Sequence, residues 1–396
     1  MAFLIFYTIV FTVYFSVHYY LFTRLNMVFP GWQGVALLFK TAFWILALSF
    51  IAGRMLERVW LIEFSMGLTV FGSYWLAAML YFLLVVLLID VFRLVNHYLP
   101  FIPAFVRESL PVFRQYFFYG VLALIAILLT YGHFNARIPA IRELALHIPK
   151  QAGQREALNI VLVSDLHLGS ILEKKHLKRI AEKISSLNPD IILLAGDVID
   201  EDLKPVIRKD LGSRLKLLNS KLGVFAVTGN HEYIGGIDEA VEYLERHGIN
   251  MVRDGALLVD SSFYLVGRED RDRPRFSGKT RKDLAEILKG VNKDFPLILM
   301  DHQPFTLNES LQNGIDLHLS GHTHNGQIWP LNYVIDAIYE LGWGYMNKAG
   351  MHVYVSSGVG TWGPPVRIGT RPEIVNIKLT FWLLSDFHHA GLKTTG

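Results

Sequence analysis

Long uninterrupted apolar stretches dominate the first third of the chain. Crossing the hydrocarbon core of a bilayer, roughly 30 Å thick, takes about 20 residues of helix. Four stretches meet that requirement: Ala2–Thr23, Trp32–Gly53, Phe64–Ile89 and Gln115–His133. Lys40 is the single Asp, Glu, Lys or Arg residue among them. The pattern therefore predicts an all-α membrane domain of four transmembrane helices.

The flanks of these stretches bear on processing and orientation. No basic residue precedes the first stretch and no small-residue cleavage pattern follows it, so we expect a retained anchor and not a signal peptide. Each side of the membrane has four basic residues near the predicted spans. Only Lys150 and Arg155 give the side of the C-terminal domain an excess of positive charge. We expect a multi-pass protein of the plasma (inner) membrane, with its C-terminal domain on the cytoplasmic side. Lys40 and Asp90 lie near span ends, which favours snorkelling over a transport or relay role.

From about Ile141 the pattern changes to short apolar runs that alternate with segments of helical period. Leu144–Ile148 alternates like an edge strand, whereas Asn159–Ser164 and Ile191–Ala195 are continuous apolar runs typical of strands buried on both faces. Lys174–Leu187, between the two runs, has the composition of a helix. Further strands are predicted at 224–228, near Leu257 and Tyr264, and at 297–300, 317–320, 353–357 and 374–379. Further helices are predicted at 206–218, 238–247 and 281–288.

This rhythm predicts one α/β domain with layered sheets. The expected organisation is a four-helix anchor over residues 1–133, a linker and edge strand over 134–158, the α/β domain over 159–380 and a tail over 381–396. Charge supports the boundary, because 62 of the 73 charged residues follow residue 133.

Composition narrows the functions that this chain can have. The net charge is only +3 and no run of five like charges occurs, so no nucleic-acid partner is expected. Cysteine is absent, which excludes disulfides, thiolate zinc sites and cysteine nucleophiles.

Ionisable side chains follow the first two buried strands. Asp165 and His167 follow the first of these strands, in the segment SDLH. Residues i and i+2 of an extended chain point to the same side, so both side chains can face one ion. Asp197 and Asp200 follow the second run in GDVID, and Gly196 allows a close backbone turn. Each block alone is weak evidence, because Asp-x-His triplets occur by chance and an Asp after a strand can equally cap a helix.

Three later strand ends carry the same kinds of residue. Asn230 and His231 lie in GNHE, His302 lies in DHQP, and His322 and His324 lie in GHTH. Open α/β sheets place ligands at the carboxyl ends of their strands. Burying so many ionisable groups together is costly unless cations hold them, so the sequence predicts a metal site. Oxygen and nitrogen ligands without sulfur suit Mn, Fe, Zn or Co.

The ordered set DLH, GDVID, GNHE, DHQP and GHTH resembles the calcineurin-like metallophosphoesterase family over about residues 139 to 380. The extension GHTHNGQIWP and the later YVSSGVGTWGPPVRIG resemble its membrane-associated branch, which includes transmembrane proteins with a metallophosphoesterase domain. That branch commonly has Gly where this chain has Asn325. The resemblance implies a four-layer α-β-β-α sandwich and a centre of two divalent metal ions.

The resemblance also implies roles for individual residues. The first metal would be held by Asp165, His167, Asp197 and His324. Asp197 would bridge to a second metal, which would be held further by Asn230, His302 and His322. His231 resembles the catalytic acid of the family, oriented by Asp200.

These features predict a metal-dependent phosphoric ester hydrolase whose partners are the lipid bilayer and a phosphorylated, lipid-linked small molecule. The alternatives are a phosphatase or nuclease for soluble substrates, a non-enzymatic receptor or scaffold, and a transporter with a regulatory domain. Apolar Ile328–Met346 fits a lipid-facing surface or the core equally well. Arg268 and Arg367 have the chemistry to bind a second phosphate, although surface salt bridges are the favoured interpretation.

Overall fold

The computed structural model describes residues 2–28, 33–103 and 110–382. It divides into two compact units. One comprises residues up to His133 together with 363–366, and the other comprises residues from Phe134 to Trp362 and from Arg367 onward. Most of the predicted C-terminal tail, residues 383–396, lies outside the described part of the chain.

The first unit is helical. Its helices are α1 (Ala2–Leu25), α2 (Gln33–Val59), α3 (Glu63–Tyr98) and α4 (Leu110–Asn135). Among the described residues, three segments are long and apolar enough to cross a membrane: Leu37–Val59, Glu63–Tyr98 and Val112–Asn135. The segment predicted as the first span is a helix but is not one of these three, so the structure supports three candidate spans.

Helices α2 and α3 approach each other closely at two glycines. A Cβ atom on Gly53 would lie 2.6 Å from the backbone nitrogen of Thr69, and one on Gly72 would lie 2.3 Å from that of Phe50. Small residues at such positions let helix backbones pack closely within a membrane.

Asp90 on α3 is held by residues of α1. Arg24 Nη2 lies 2.7 Å from its carboxylate, and the Tyr20 hydroxyl donates a hydrogen bond of 2.7 Å to the same oxygen. This pairing gives Asp90 a structural role within the helical unit.

The second unit is an α/β domain. Its strands are β1 (Ala140–Gln151), β2 (Ala157–Val163), β3 (Ile191–Leu194), β4 (Val224–Ala226), β5 (Ile249–Met251), β6 (Gly255–Val259), β7 (Phe263–Gly267), β8 (Leu297–Met300), β9 (Leu317–Ser320), β10 (Gly344–Lys348), β11 (Met351–Val355) and β12 (Glu373–Trp382). Its helices are α5 (Lys174–Ser186), α6 (Leu203–Arg208), α7 (Gly212–Leu215), α8 (Asn230–Gly235), α9 (Ile237–Arg246), α10 (Arg273–Ser277), α11 (Leu284–Ile287), α12 (Leu307–Gln312) and α13 (Asn332–Ile338), with a 3₁₀ turn at His324–Gly326.

The strands form two six-stranded mixed sheets, with orders β1-β12-β2-β3-β4-β5 and β10-β11-β9-β8-β7-β6. Strands β2 to β5 are parallel in the first sheet, and β7, β8, β9 and β11 are parallel in the second. The prediction of an α/β domain with layered sheets is confirmed. The sequence missed β5 and β10, and the helix predicted over 206–218 is interrupted at Asp210, whose φ is 49°.

Three apolar clusters define the layers. Residues such as Ile160 and Leu193 of the first sheet share a buried cluster with Phe263 and Ile298 of the second. Helices α5 and α9 cover the outer face of the first sheet, and α11 and α12 cover that of the second. Because parallel strands end at one edge of each sheet, the loops after β2, β3, β4, β8 and β9 are brought to a common crevice.

Candidate metal centre

The loops after β2 and β3 run side by side beyond the ends of their strands. The backbone nitrogen of Asp165 donates to Gly196 O at 3.1 Å, and that of His167 donates to Asp197 O at 3.0 Å. In return the nitrogen of Asp200 donates to Leu168 O at 2.9 Å. These bonds hold the DLH and GDVID blocks against each other.

Five predicted site residues have left-handed backbone conformations. Their φ angles are 54° at Asp165, 48° at His167, 50° at Asp197, 72° at His322 and 49° at His324. Extended geometry at DLH and GHTH, the basis of the i, i+2 argument, is therefore wrong, although the paired side chains do meet. Such conformations cost on the order of 1–3 kcal/mol each outside glycine and concentrate at functional sites.

A first group of donors comprises Asp165, His167 and His324. The two imidazole Nε2 atoms are 3.0 Å apart. Asp165 Oδ1 lies 3.5 Å from Nε2 of His324 and 4.0 Å from Nε2 of His167. All three side chains are buried, and their donor atoms are close enough to share one cation.

A second group comprises Asp197, His302 and His322, with Asn230 beside it. Asp197 Oδ2 lies 3.0 Å from His302 Nε2, and Asn230 Oδ1 lies 2.9 Å from His322 Nδ1. The same Asp197 oxygen is only 3.9 Å from Nε2 of His167. It therefore lies beside both groups, as a bridging ligand must.

Neighbouring backbone groups orient these ligands. The nitrogen of His231 donates to Asp197 Oδ1 at 2.9 Å, which leaves Oδ2 for the two groups. His302 Nδ1 lies 2.7 Å from Ala195 O, so its proton belongs on Nδ1 and Nε2 faces Asp197. Hydrogen bonds of this kind set the tautomer and ring orientation of metal-binding histidines.

Glu232 and two glycines shape the space around Asp197. The buried Glu232 carboxylate accepts from the nitrogens of Ile199 at 2.8 Å and Gly229 at 2.7 Å, which joins the GDVID and GNHE loops. A Cβ on Gly229 would lie 2.1 Å from Asp197 Oδ1, and one on Gly196 would lie 2.5 Å from the His302 ring. Glu232 directly follows His231 in the chain, but no sequence pattern singled it out.

Arg367 and Arg268 are both buried, so their interpretation as surface residues is wrong. Arg367 donates to the backbone oxygens of His324 at 3.2 Å, Gly358 at 3.1 Å and Gly360 at 2.7 Å. Arg268 donates to Glu309 at 2.8 Å. Both guanidinium groups hold loops together, and neither is open to a phosphate.

Three histidines of the two groups, His302, His322 and His324, have shifted pKa values. Burial lowers the pKa of His322 to about 3. Burial and the charge of Arg367 hold the pKa of His324 well below its usual value. Both rings are therefore neutral, the form that binds a metal. Although burial opposes it, the Asp197 carboxylate raises the pKa of His302 well above its usual value, and a bound cation would displace that proton.

The pKa values of the two carboxylates, Asp165 and Asp197, are also shifted. Burial, with the nearby Asp197, raises the pKa of Asp165. Burial also acts against ionisation of Asp197, but the charges of His302 and His231 hold its pKa well below the usual value. Two converging carboxylates and the neutral imidazoles of His322 and His324 match the donor set of divalent cations, so the residues fit a metal centre.

His231 and Asp200 form a pair beside the first group of donors. His231 Nδ1 lies 3.1 Å from Asp200 Oδ1, and the same oxygen lies 3.4 Å from His167 Nδ1. Although burial opposes it, Asp197 and Asp200 raise the pKa of His231 to about 10. The ring therefore carries a proton that it can donate.

Two aromatic rings flank the centre, although no sequence motif pointed to them. The Tyr339 ring centroid lies 6.3 Å from that of His322, and the Trp362 centroid lies 6.2 Å from that of His231. His318 is a buried core residue whose ring meets the hydroxyls of Ser310 and Ser320 at 2.9 Å each.

Comparison with known proteins agrees with this geometry. The model of the calcineurin-like phosphoesterase family matches residues 158–326. An uncharacterized metallophosphoesterase of Aquifex aeolicus is 31% identical over 258 residues, which cover 64% of this chain and 97% of the relative. A transmembrane protein with metallophosphoesterase domain from Danio rerio is 33% identical over 282 residues, which cover 67% of this chain and 63% of the relative.

Among solved structures, a 5′-nucleotidase precursor from Thermus thermophilus aligns over 57% of this chain and 54% of its own, at 15% identity and a TM-score of 0.36. The sequence relatives and the apolar helices together support membrane association. The chain belongs to the calcineurin-like metallophosphoesterase family and is a phosphoester hydrolase.

Proposed function

We propose that this chain is a membrane-anchored, dinuclear phosphoesterase that hydrolyses a phosphoester or pyrophosphate bond in a lipid-linked substrate. The observation that carries the dinuclear part is the position of Asp197 Oδ2, 3.0 Å from His302 Nε2 and 3.9 Å from His167 Nε2. One carboxylate oxygen beside two sets of donors fits two ions that share a ligand.

In this proposal the first ion would be held by Asp165, His167, Asp197 and His324, and the second by Asp197, Asn230, His302 and His322. Two bound divalent ions supply Lewis acidity toward phosphate oxygens and lower the pKa of water at the site. His231 donates its proton to the oxygen of the leaving group, which is an alkoxide in a phosphoester and a phosphate in a pyrophosphate, and Asp200 holds the His231 ring in the orientation for that transfer.

The lipid-linked part of the proposal is supported by a surface that we call the apolar rim: Trp329, Tyr333, Val334, Ile338, Trp343 and Trp362. These side chains are 39–63% exposed. Helix α13, which carries three of them, has no buried residue. Trp362, one of these six residues, lies beside His231, the proposed acid. Exposed apolar patches of this kind mark ligand or membrane contacts, and Trp and Tyr favour the lipid interface.

A panel assay tests the function. Purified full-length protein with Mn is incubated with lipid pyrophosphates, phospholipids, nucleotides and bis(p-nitrophenyl) phosphate. We expect turnover that EDTA abolishes and Mn restores, with the highest kcat/KM on a lipid pyrophosphate. Preference for nucleotides or water-soluble monoesters would favour the nuclease or soluble-phosphatase alternative. Absence of metal-dependent turnover on every compound would favour a receptor or scaffold.

A matched pair of variants isolates the apolar rim within that assay. Ile338 and Ile207 are both 56% exposed, but only Ile338 belongs to the rim. Ile338→Ser is expected to raise KM for a long-chain substrate more than for its short-chain analogue, because one apolar contact is lost. Ile207→Ser is expected to change neither value. Equal effects of the two substitutions would remove the support for a lipid-linked substrate.

We also propose a four-helix anchor over residues 1–133, a linker and edge strand over 134–158, the catalytic domain over 159–380 and a tail over 381–396. The catalytic domain would face the cytoplasm from the plasma membrane. Because the chain has no cysteine, a single Cys can be introduced at the exposed Lys221 without background labelling. We expect a membrane-impermeant maleimide to label it only after the cells are opened. Labelling of intact cells would place the domain outside.

A further inference from the structure

The loop after β7 is attached to the loop that carries His302. The backbone nitrogen of Arg268 donates to Met300 O at 3.1 Å, at the ends of the paired strands β7 and β8. The Asp270 carboxylate is fully buried, and its two oxygens lie 3.0 and 3.2 Å from Nε2 of Gln303. Gln303 directly follows His302, so the residue after Asp270 has a defined place beside the proposed centre.

That residue, Arg271, is exposed and stacks on an aromatic ring. Its guanidinium carbon lies 4.3 Å from the ring centroid of Phe305. Phe305 in turn lies 4.7 Å from Tyr339, whose ring lies 6.3 Å from that of His322. The Phe305 and Tyr339 rings are tilted at 42° to each other, and the Tyr339 and His322 rings meet edge to face at 74°. A row of ring contacts therefore links Arg271 to a proposed metal ligand.

Arg271 differs from the other arginines of the same region in its partners. Arg268, Arg273 and Arg281 each form ion pairs with buried or half-buried carboxylates. Among the described residues, Arg271 forms none. Stacking on Phe305 restrains the planar guanidinium, whose N–H groups at the edge match the oxygens of a phosphate bidentately.

We infer that Arg271 binds a second phosphate of the substrate, next to the phosphate that is cleaved. The substrate class is then a diphosphate ester, and the bond cleaved is a pyrophosphate bond. The inference rests on the proposed phosphoesterase function of the same site. Asp270 and Phe305 position Arg271 for this contact, the first by its buried hydrogen bonds to Gln303 and the second by stacking.

The test compares two substrates on the full-length protein with Mn: ADP-ribose, a diphosphate diester, and bis(p-nitrophenyl) phosphate, which has one phosphate. For Arg271→Ala we expect the ratio of kcat/KM for ADP-ribose to kcat/KM for bis(p-nitrophenyl) phosphate to fall roughly 10- to 100-fold, the loss of a charge-assisted contact. Arg271→Lys should recover part of that ratio, since it keeps the charge without the planar fork.

Arg275→Ala is the matched control, because it removes the same charge from an exposed residue of α10 and should leave the ratio unchanged. An unchanged ratio in Arg271→Ala, or an equal fall in Arg275→Ala, would overturn the inference. Wild-type protein that cleaves only bis(p-nitrophenyl) phosphate would overturn it while leaving the phosphoesterase proposal intact. Failure to cleave either of these substrates or any lipid pyrophosphate would overturn both.

Discussion

Asp197→Asn is expected to lower hydrolysis by more than about 100-fold and to release bound metal, because Asp197 Oδ2 lies beside both groups of donors. Substitution of a residue that only hydrogen-bonds to a metal ligand typically lowers metal affinity or activity by about 10- to 100-fold. Substitution of a ligand shared by two ions is expected to have a larger effect. Asparagine has the same shape but carries no charge and presents an NH₂ group at one of the two positions. Elemental analysis and kcat/KM on bis(p-nitrophenyl) phosphate measure the two effects.

The control for this variant is Asp210→Asn. Asp210 is an exposed residue that pairs with Lys174, so its substitution makes the same change in charge away from the donor groups. We expect wild-type metal content and activity from it. If Asp197→Asn retained both properties as well, the bridging role and the dinuclear proposal would be wrong.

The second large effect is expected from His231→Ala. General acid catalysis contributes typically 10²- to 10⁴-fold, so kcat should fall within about that range on an alkyl ester. Metal content should stay at the wild-type level, since His231 is proposed as an acid and not as a ligand. This separates it from Asp197→Asn, in which both quantities fall.

The leaving group provides the sharper test of an acid. A p-nitrophenolate leaves without a proton, so the loss of kcat in His231→Ala should be much smaller on a p-nitrophenyl ester than on an alkyl ester. Asp200→Asn should show the same dependence with a smaller loss, because Asp200 only holds the ring, 3.1 Å away. The exposed His147→Ala serves as the control substitution. Equal losses on both esters would mean that His231 acts through structure and not as an acid.

The sequence predicted which residues lie together at the site, because ionisable side chains follow the ends of the predicted strands. Each of the five blocks follows a short apolar run, and parallel strands of a sheet place their carboxyl ends together. The structure does bring Asp165, His167 and His324 together, and likewise Asp197, His302 and His322. The local argument behind two of those blocks was nevertheless wrong, since Asp165 and His322 have left-handed backbones. Contacts between loops, such as His167 N to Asp197 O, hold these conformations, and one segment alone does not show them.

Arginines were the class of residue on which sequence reasoning failed. Arg268 and Arg367 were expected at the surface, but burial depends on elements distant in the chain. Arg367 lies within hydrogen-bonding distance of His324, 43 residues away. Arg271, which sequence reasoning passed over in a run of mixed charges, is the one that stacks on Phe305.

The sequence by itself determined the division into an apolar helical region and an α/β domain, because hydrophobic period and run length are local properties. It also determined which side chains are available for chemistry, through five motifs at strand ends. Only the tertiary structure decided which oxygen of Asp197 faces both donor groups, which arginines are buried, and that most of the segment after GHTH exposes its apolar side chains. Those outcomes depend on contacts between residues far apart in the chain, and the packing of two sheets sets such contacts.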